Sequence, residues 1–414
     1  MREMKDSGVE WIGQIPERWQ LRRAKTLFTQ RNSKGNKVEV LLSPTQKYGV
    51  VPQSQLEGIV QVKEDTDLQM FKTIHKGDFV ISLRSFQGGF EYSLYEGVCS
   101  PAYQVFYPIT PICDLYYRYL FKSQSFISKM NNLTVGIREG KNIQYIDFAN
   151  SQIPVPPIAE QERIAAFLDA ECAEIDAVLE KTRASIEEYK KLKQAVITQA
   201  VTKGVRGDRP MKDSGIEWIG EIPAEWGVVP HKRIMHKVKE ICEQYNGEDI
   251  ISLTVNGVVK RDLTAGGKMP TSFDGYQYVE PNNLLLCLFD IDVTPRCVGV
   301  VRDYGVTSPA YSRFVMHDGY YNAYYDYLLR MIDDNKVFVH LSKNLRSSLT
   351  ESDFGAIKTC APPLAEQKCI AAFLDVRCDE IDALIAKKQQ YLTEIENYKK
   401  SLIYEYVTGK KEVV

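Results

Sequence analysis

The chain repeats itself at half its own length. Met4–Trp19 (MKDSGVEWIGQIPERW) returns as Met211–Trp226 (MKDSGIEWIGEIPAEW), 207 residues later. Pro156–Asp169 (PPIAEQERIAAFLD) returns as Pro362–Asp375 (PPLAEQKCIAAFLD), 206 residues later. A shorter echo, Ser100–Tyr103 (SPAY) and Ser308–Tyr311, is offset by 208, which places a small insertion or deletion before the Pro-Pro pair. A period this long is not that of a solenoid or propeller, whose repeats run to about 20–50 residues. Each copy is domain-sized. The expectation is a pseudo-two-fold molecule, suited to a target with two halves.

A chain of 414 residues exceeds what one hydrophobic core organises. No apolar run approaches the roughly 20 residues of a membrane span, and Met1–Asp6 has no apolar signal core. Nine cysteines, without a Cys-x-x-Cys pair, read as free thiols in a reducing cytoplasm. Cys172 and Cys378 occupy equivalent places on apolar stripes and read as small buried hydrophobes. The net charge of −2 is unevenly spread. Residues 20–150 hold 16 Lys/Arg against 11 Asp/Glu, and residues 227–361 hold 15 against 16. Charge alone therefore does not establish a nucleic-acid partner.

Each half reads in two parts. The first has short β-branched and aromatic runs such as Asp78–Leu83 and Asn283–Leu288, bounded by Gly, Pro, Asn and Asp, which predict strands. Tyr116–Met130 and Ala323–Ile332 predict short helices. The second part is helical throughout: residues 158–203 contain neither Gly nor Pro. Leu168, Cys172, Ile175, Leu179, Thr182, Ile186, Tyr189, Lys193 and Val196 step alternately by four and three. Leu374, Cys378, Ile381, Ile385, Lys388, Leu392, Ile395, Lys399 and Leu402 do the same. That alternation is a coiled-coil seam. Proline is tolerated in a first helical turn and glycine ends a helix. Pro156-Pro157 and Pro362-Pro363 therefore open the helices, and Gly204 and Gly409 stop them. At 1.5 Å per residue the first is a rod of about 70 Å. Two matched stripes in one chain are expected to pack on each other. The resulting division is 1–157, a first mixed α/β domain; 158–203, a central helix; 204–361, a polar linker and second domain; 362–409, a distal helix; and 410–414, a tail. The fold class is α+β: two similar mixed domains separated by two long antiparallel coiled-coil helices.

Catalytic patterns are missing. There is no Walker-type phosphate loop, no Gly-x-Gly-x-x-Gly, and no Asn-Pro-Pro or Asp-Pro-Pro followed by an aromatic. The five histidines are scattered. Glu188-Tyr189-Lys190 and Glu366-Gln367-Lys368 match half of a nuclease signature, but on the long helices they read as solvated salt-bridging faces.

The opening motif and the Pro-Pro helix start, each present twice, resemble those of the type I restriction-modification specificity subunit, and the resemblance spans the whole chain. It implies two target-recognition domains, an antiparallel coiled coil between them, and one subunit reading a split double-stranded DNA sequence with an unread spacer. It further implies docking to two modification subunits that bind S-adenosylmethionine and methylate adenine N6, and to two ATP- and magnesium-dependent restriction subunits. This chain would then be non-catalytic, cytoplasmic, free of membrane, and without a cofactor or metal of its own. Two other readings stay open: a coiled-coil scaffold without base readout, and a nuclease with an unrecognised site.

Residue chemistry nominates the DNA contacts, since Arg and Lys fork onto guanine and Asn and Gln onto adenine. In the first domain these are Arg84, Ser85 and Gln87, in a polar tip after a strand, and Arg138, Lys141 and Asn142 in a Gly-bounded loop. In the second they are Arg296, after an Asp-rich turn, and Lys343, Asn344 and Arg346. Trp11, Trp218, Tyr103 and Tyr311 read as packing residues.

Overall fold

The computed structural model describes residues 2–34, 40–56, 68–133, 143–264, 270–294, 296–342 and 347–413. The chain divides into two units, Met1–Arg183 with Gln390–Val414, and Ala184–Gln389. Each unit therefore takes a globular domain and part of both long helices.

The repeated opening folds identically in both units. Met4–Asp6 pairs antiparallel with Gln14–Pro16, and Met211–Asp213 with Glu221–Pro223. The Asp-Ser-Gly that follows makes a side-chain-stapled turn. Asp6 and Asp213 accept from the amides of Gly8 and Gly215, and Ser7 and Ser214 accept from Val9 and Ile216. The four glycines of the two turns have φ near +67 to +69°, where a Cβ is strained.

Immediately after the motif, Gln20–Arg23 pairs with Gln152–Val155, and Gly227–Pro230 with Lys358–Ala361. The strand leading into each Pro-Pro is thus returned to the domain's start. That return brings the second motif onto the first. Glu160 accepts from Trp19 Nε1 at 3.0 Å and pairs with Arg2, whose guanidinium lies over the Trp19 ring. Glu366 accepts from Trp226 Nε1 at 2.9 Å and from Arg209 at 2.6 Å, and Arg209 lies over Trp226. Gln161 and Gln367 span the same joint, each donating to the first proline's carbonyl and accepting from the amide of Cys113 or Tyr321. Both tryptophans are fully buried. Trp11 and Trp218, expected to pack, do so half-buried at the core edge. The anchors are the last tryptophans of the motif, because only those reach the buried glutamate.

Each domain centres on a four-stranded antiparallel sheet of the same order. In the first unit it runs Phe28–Arg31, Gln104–Pro108, Phe79–Ile81, Glu91–Tyr92; in the second, Met235–Val238, Ser312–Met316, Leu284–Leu286, Val298–Val300. Helices cover one face. Asp114–Lys122 and Gln124–Leu133 replace the single predicted helix of the first unit. The break is at Ser123, whose hydroxyl bonds the Leu120 carbonyl and whose backbone is extended. The second unit has Asn322–Asp334 followed by the shorter Val337–Leu341.

The long helices are Ile158–Lys203 and Leu364–Val407, and they run antiparallel within each unit. In the first, Asp176 and Arg183 meet Lys399 and Glu396; in the second, Tyr189 and Lys193 meet Lys388 and Asp382. Lys193–Asp382 and Lys399–Asp176 are the same pair in the two repeats, both at 2.6 Å. The seam is buried at Leu168, Cys172, Ile175, Leu179, Ile186, Leu374, Cys378 and Ile381. It is only half-buried at Ile385, Leu392 and Ile395. All nine cysteines are free, and burial raises the Cys172 and Cys378 thiols above their ordinary value. Among the described residues no helix is long and apolar enough to cross a membrane.

Candidate nucleic-acid interface

In the first unit a hairpin, Leu42–Thr45 with Gly49–Pro52, leaves the tip Gln46-Lys47-Tyr48 exposed. Thr45 closes it, its hydroxyl donating to the Gly49 carbonyl and accepting from the Tyr48 amide. The tip lies beside Ser85–Gly88, a single helical turn after the strand Phe79–Ile81. Gln46 Nε2 donates to Gln87 Oε1 at 3.1 Å, and a Cβ on Gly88 would fall 2.8 Å from Gln46 Cγ. Lys122 supports the tip from beneath, bonding the Gln46 carbonyl while holding both oxygens of Glu91 at 2.6 Å. Burial pushes the Glu91 carboxyl up to about 7, with Lys122 opposing the shift.

The second unit builds the same corner from different residues. The hairpin Ile251–Thr254 with Gly257–Lys260 exposes Val255 and Asn256, and Thr254 closes it by donating to Gly257. Arg296 is the neighbour here. Its Nε donates to the Val298 carbonyl at 2.7 Å, and a Cβ on Gly257 would lie 3.4 Å from Cζ and from both Nη atoms. The guanidinium therefore lies flat across the glycine, with its two outer nitrogens unengaged among the described residues. Burial first, then the charge of Arg330, lowers its pKa, while Asp326, Asp334 and Asp333 raise it. Arginine remains a cation.

Two other arginines, on the four-stranded sheets, are consumed internally. Arg31 forks onto Asp78 at 2.7 and 2.9 Å. Arg313 bonds Asn283, the Tyr278 carbonyl and Glu280.

Residues 14–188 match the family model of the type I restriction modification DNA specificity domain. The chain is 24% identical to the MjaX specificity subunit of a type I restriction enzyme of Methanocaldococcus jannaschii, over 97% of this chain and 96% of that one. It is 26% identical to the MjaVIII specificity subunit of the same organism, over 72% and 71%. Among solved structures, the HsdS subunit of Thermoanaerobacter tengcongensis superposes with a TM-score of 0.52 at 16% identity, covering 96% of this chain and 98% of that one. A chain from a study of complex assembly and conformational transition in a type I R-M system reaches 0.71 at 14% identity, covering 96% and 99%. Residues 14–188 thus match a type I DNA specificity domain, and the whole chain is similar to type I specificity subunits.

The nominated residues fall into three groups. Arg84 and Gln87 are exposed beside the hairpin tip, and Arg296 sits on its counterpart. Ser85 is buried, its hydroxyl accepting from the Ser82 amide, so it shapes the turn rather than facing solvent. The polar tip of 84–89 is thus a helical turn, closed by the Gly89 amide on the Ser85 carbonyl. Arg138, Lys141, Asn142, Lys343, Asn344 and Arg346 lie outside the described residues. Leu133, which precedes that first loop, lines a cleft of about 1030 Å³ with Arg23, Lys129 and Asn132. Tyr103 and Tyr311 are half-buried against small second cores, in line with packing. The hairpins escaped sequence reasoning, yet a signal existed. Leu42-Ser43-x-Thr45 followed by Gly49-Val50-Val51 echoes Ile251-Ser252-x-Thr254 followed by Gly257-Val258-Val259. A one-residue difference in tip length hides the match.

Proposed function

We propose that each unit of this DNA-recognition subunit reads one half of a split duplex sequence, leaving the bases between unread. The duplication carries the reading. Both units have their own core, the same four-strand order and the same Trp–Glu–Arg joint, so each is a complete recognition module. Exposed Arg84 and Gln87 and the clamped Arg296 fit base or phosphate contact, and the loops holding Arg138, Lys141, Asn142, Lys343, Asn344 and Arg346 are assigned to the same task. The chain docks two modification subunits and, through them, two restriction subunits. S-adenosylmethionine, ATP and magnesium belong to those partners. The chain itself performs no chemistry.

Two measurements test this. The chain co-expressed with its modification subunit should form a complex of one with two, and sequencing of the methylated genome should show a bipartite motif. Calorimetry of the isolated chain with S-adenosylmethionine should show no binding. A contiguous motif, or methyl-donor binding by the chain alone, would overturn the reading. Magnesium-dependent cutting by the pure chain would instead favour the nuclease alternative.

A further inference from the structure

The geometry points to the two hairpin tips, Gln46-Lys47-Tyr48 and Val255-Asn256, as the ribbons that enter the major groove and read bases, Gln46 acting with Gln87 in one unit and Asn256 with Arg296 in the other. This rests on the reading of the chain as a two-site DNA reader and names the elements that do it.

Shape favours the ribbons. The major groove is about 12 Å wide and admits an α-helix or a two-stranded β-ribbon. The four-residue turn at Ser85–Gly88 is too short to enter as a helix, and the long helices are occupied with each other. Each unit does present a two-stranded ribbon at an equivalent place in its chain, and its tip is bare. Tyr48 is 61% exposed and Val255 is 62% exposed. The Lys47 ammonium lies 4.9 Å over the Tyr48 ring, and both tips stand on ribbons rooted in buried Leu42 and Ile251.

Chemistry favours them too. A side-chain amide sets a donor beside an acceptor, the pattern that matches N6 and N7 of adenine, and a guanidinium fork matches O6 and N7 of guanine. Gln46 spends one N–H on Gln87 Oε1. Its own Oε1 and the Gln87 amide nitrogen have no other partner among the described residues. The two amides thus act as one fixed plate of donors and acceptors. In the second unit the Asn256 side chain is likewise unengaged among the described residues, and the Arg296 fork is held against Gly257 by its bond to Val298. Groups pinned before binding lose little side-chain freedom on contact, which favours base discrimination. The first unit is then expected to read an adenine-containing step and the second a guanine-containing one.

Frame and tip also contrast. Thr and Gly close both ribbons with the same hydroxyl-to-carbonyl bond, at 3.0 and 2.9 Å. Between them nothing matches. A constant frame carrying different residues in the two units is what two modules reading different sequences require.

The test uses the full chain with its modification subunit and reads the methylated motif by sequencing. Gln46→Ala should relax one base pair of one half-site by about tenfold or more, leaving the other half-site and the spacer unchanged. Asn256→Ala should do the same to the opposite half-site. Because truncation can also weaken a complex uniformly, a graft supplies the second variant: Val255-Asn256 replaced by Gln-Lys-Tyr within the Thr254–Gly257 frame. It should change the second half-site alone. An unchanged motif in all three variants, or methylation lowered equally at every site with the same sequence, would refute the assignment of the ribbons. In that event a bipartite motif from the wild-type chain would still uphold the two-site reading. A wild-type motif without two halves would sink both.

Discussion

At the residue scale, the repeated motifs are explained by two buried contacts and one divergence. Glu366 and Arg209 form an ion pair with side chains 4% and 10% exposed, completed by Trp226. Removing Glu366 leaves Arg209 with Glu225 and the Lys203 carbonyl, so the cost falls below the roughly 3–5 kcal/mol of a fully orphaned buried charge. Glu366→Gln should therefore lower the denaturant midpoint of the full chain clearly, and Glu160→Gln should do likewise in the other unit. Losses below about 1 kcal/mol in both, the size of an ordinary substitution, would mean that the motif glutamate is not what holds the joint. The divergence is His231, which stands where the first unit has Ala24. It is fully buried against the Phe354 ring, and burial lowers its pKa to about 4 from 6.5. The unfolded chain binds a proton there below pH 6.5 while the folded chain does not until about pH 4. Stability is thus complete above pH 6.5 and declines as pH falls toward 4, by a total of about 3 kcal/mol from this group. His231→Phe should flatten that part of the pH–stability curve relative to wild type. Identical slopes in the two proteins would show that His231 is not the group responsible.

At the element scale, the long helices are not uniform rods. Leu168 is fully buried against the first domain, whereas Leu392, another seam residue, is only half-buried. Leu168→Ala should cost about 2–5 kcal/mol and Leu392→Ala markedly less. Equal costs, measured by urea titration, would mean that the helix pair itself, not the domain over it, dominates the packing. The repeated Lys193–Asp382 and Lys399–Asp176 pairs are a separate matter. Their aspartates are 55% and 56% exposed, so either pair should contribute less than about 1 kcal/mol. Their consistent placement serves register. The alternating 4/3 spacing makes this arrangement legible in the sequence, because two matched stripes of that period in one chain are expected to pack on each other. The recognition hairpins are not legible in the same way. Their strands are four residues long, and one extra tip residue breaks the echo between copies.

At the scale of the whole molecule, the central helix carries the chain from one unit into the other as 46 residues without a break. Because the distal helix runs antiparallel to it in both units, a change of length must be made in both. Seven residues added after Ala195 and seven at the facing point, after Ile381, preserve the seam. They turn a straight helix by only about 20° and lengthen it by about 10 Å. At about 3.4 Å per base pair, the unread spacer should grow by about three base pairs with both half-sites unchanged. A methylated motif with its original spacer, from an active complex, would show that the helices do not set the gap.

The sequence by itself determined the duplication, the family resemblance, and both long helices and their stops. These are local or periodic properties, and physics acts on them within a few turns of chain. Tertiary structure alone decided three things. It made Trp19 and Trp226 the anchors, because the strands Gln152–Val155 and Lys358–Ala361 bring a glutamate from 141 and 140 residues away onto their indole nitrogens. It made Arg209, which looks like a linker residue, part of that joint. And it buried Ser85 while setting Gln87 against Gln46, a partner 41 residues earlier. Burial and long-range pairing depend on where the sheets close, and no window of sequence contains that information.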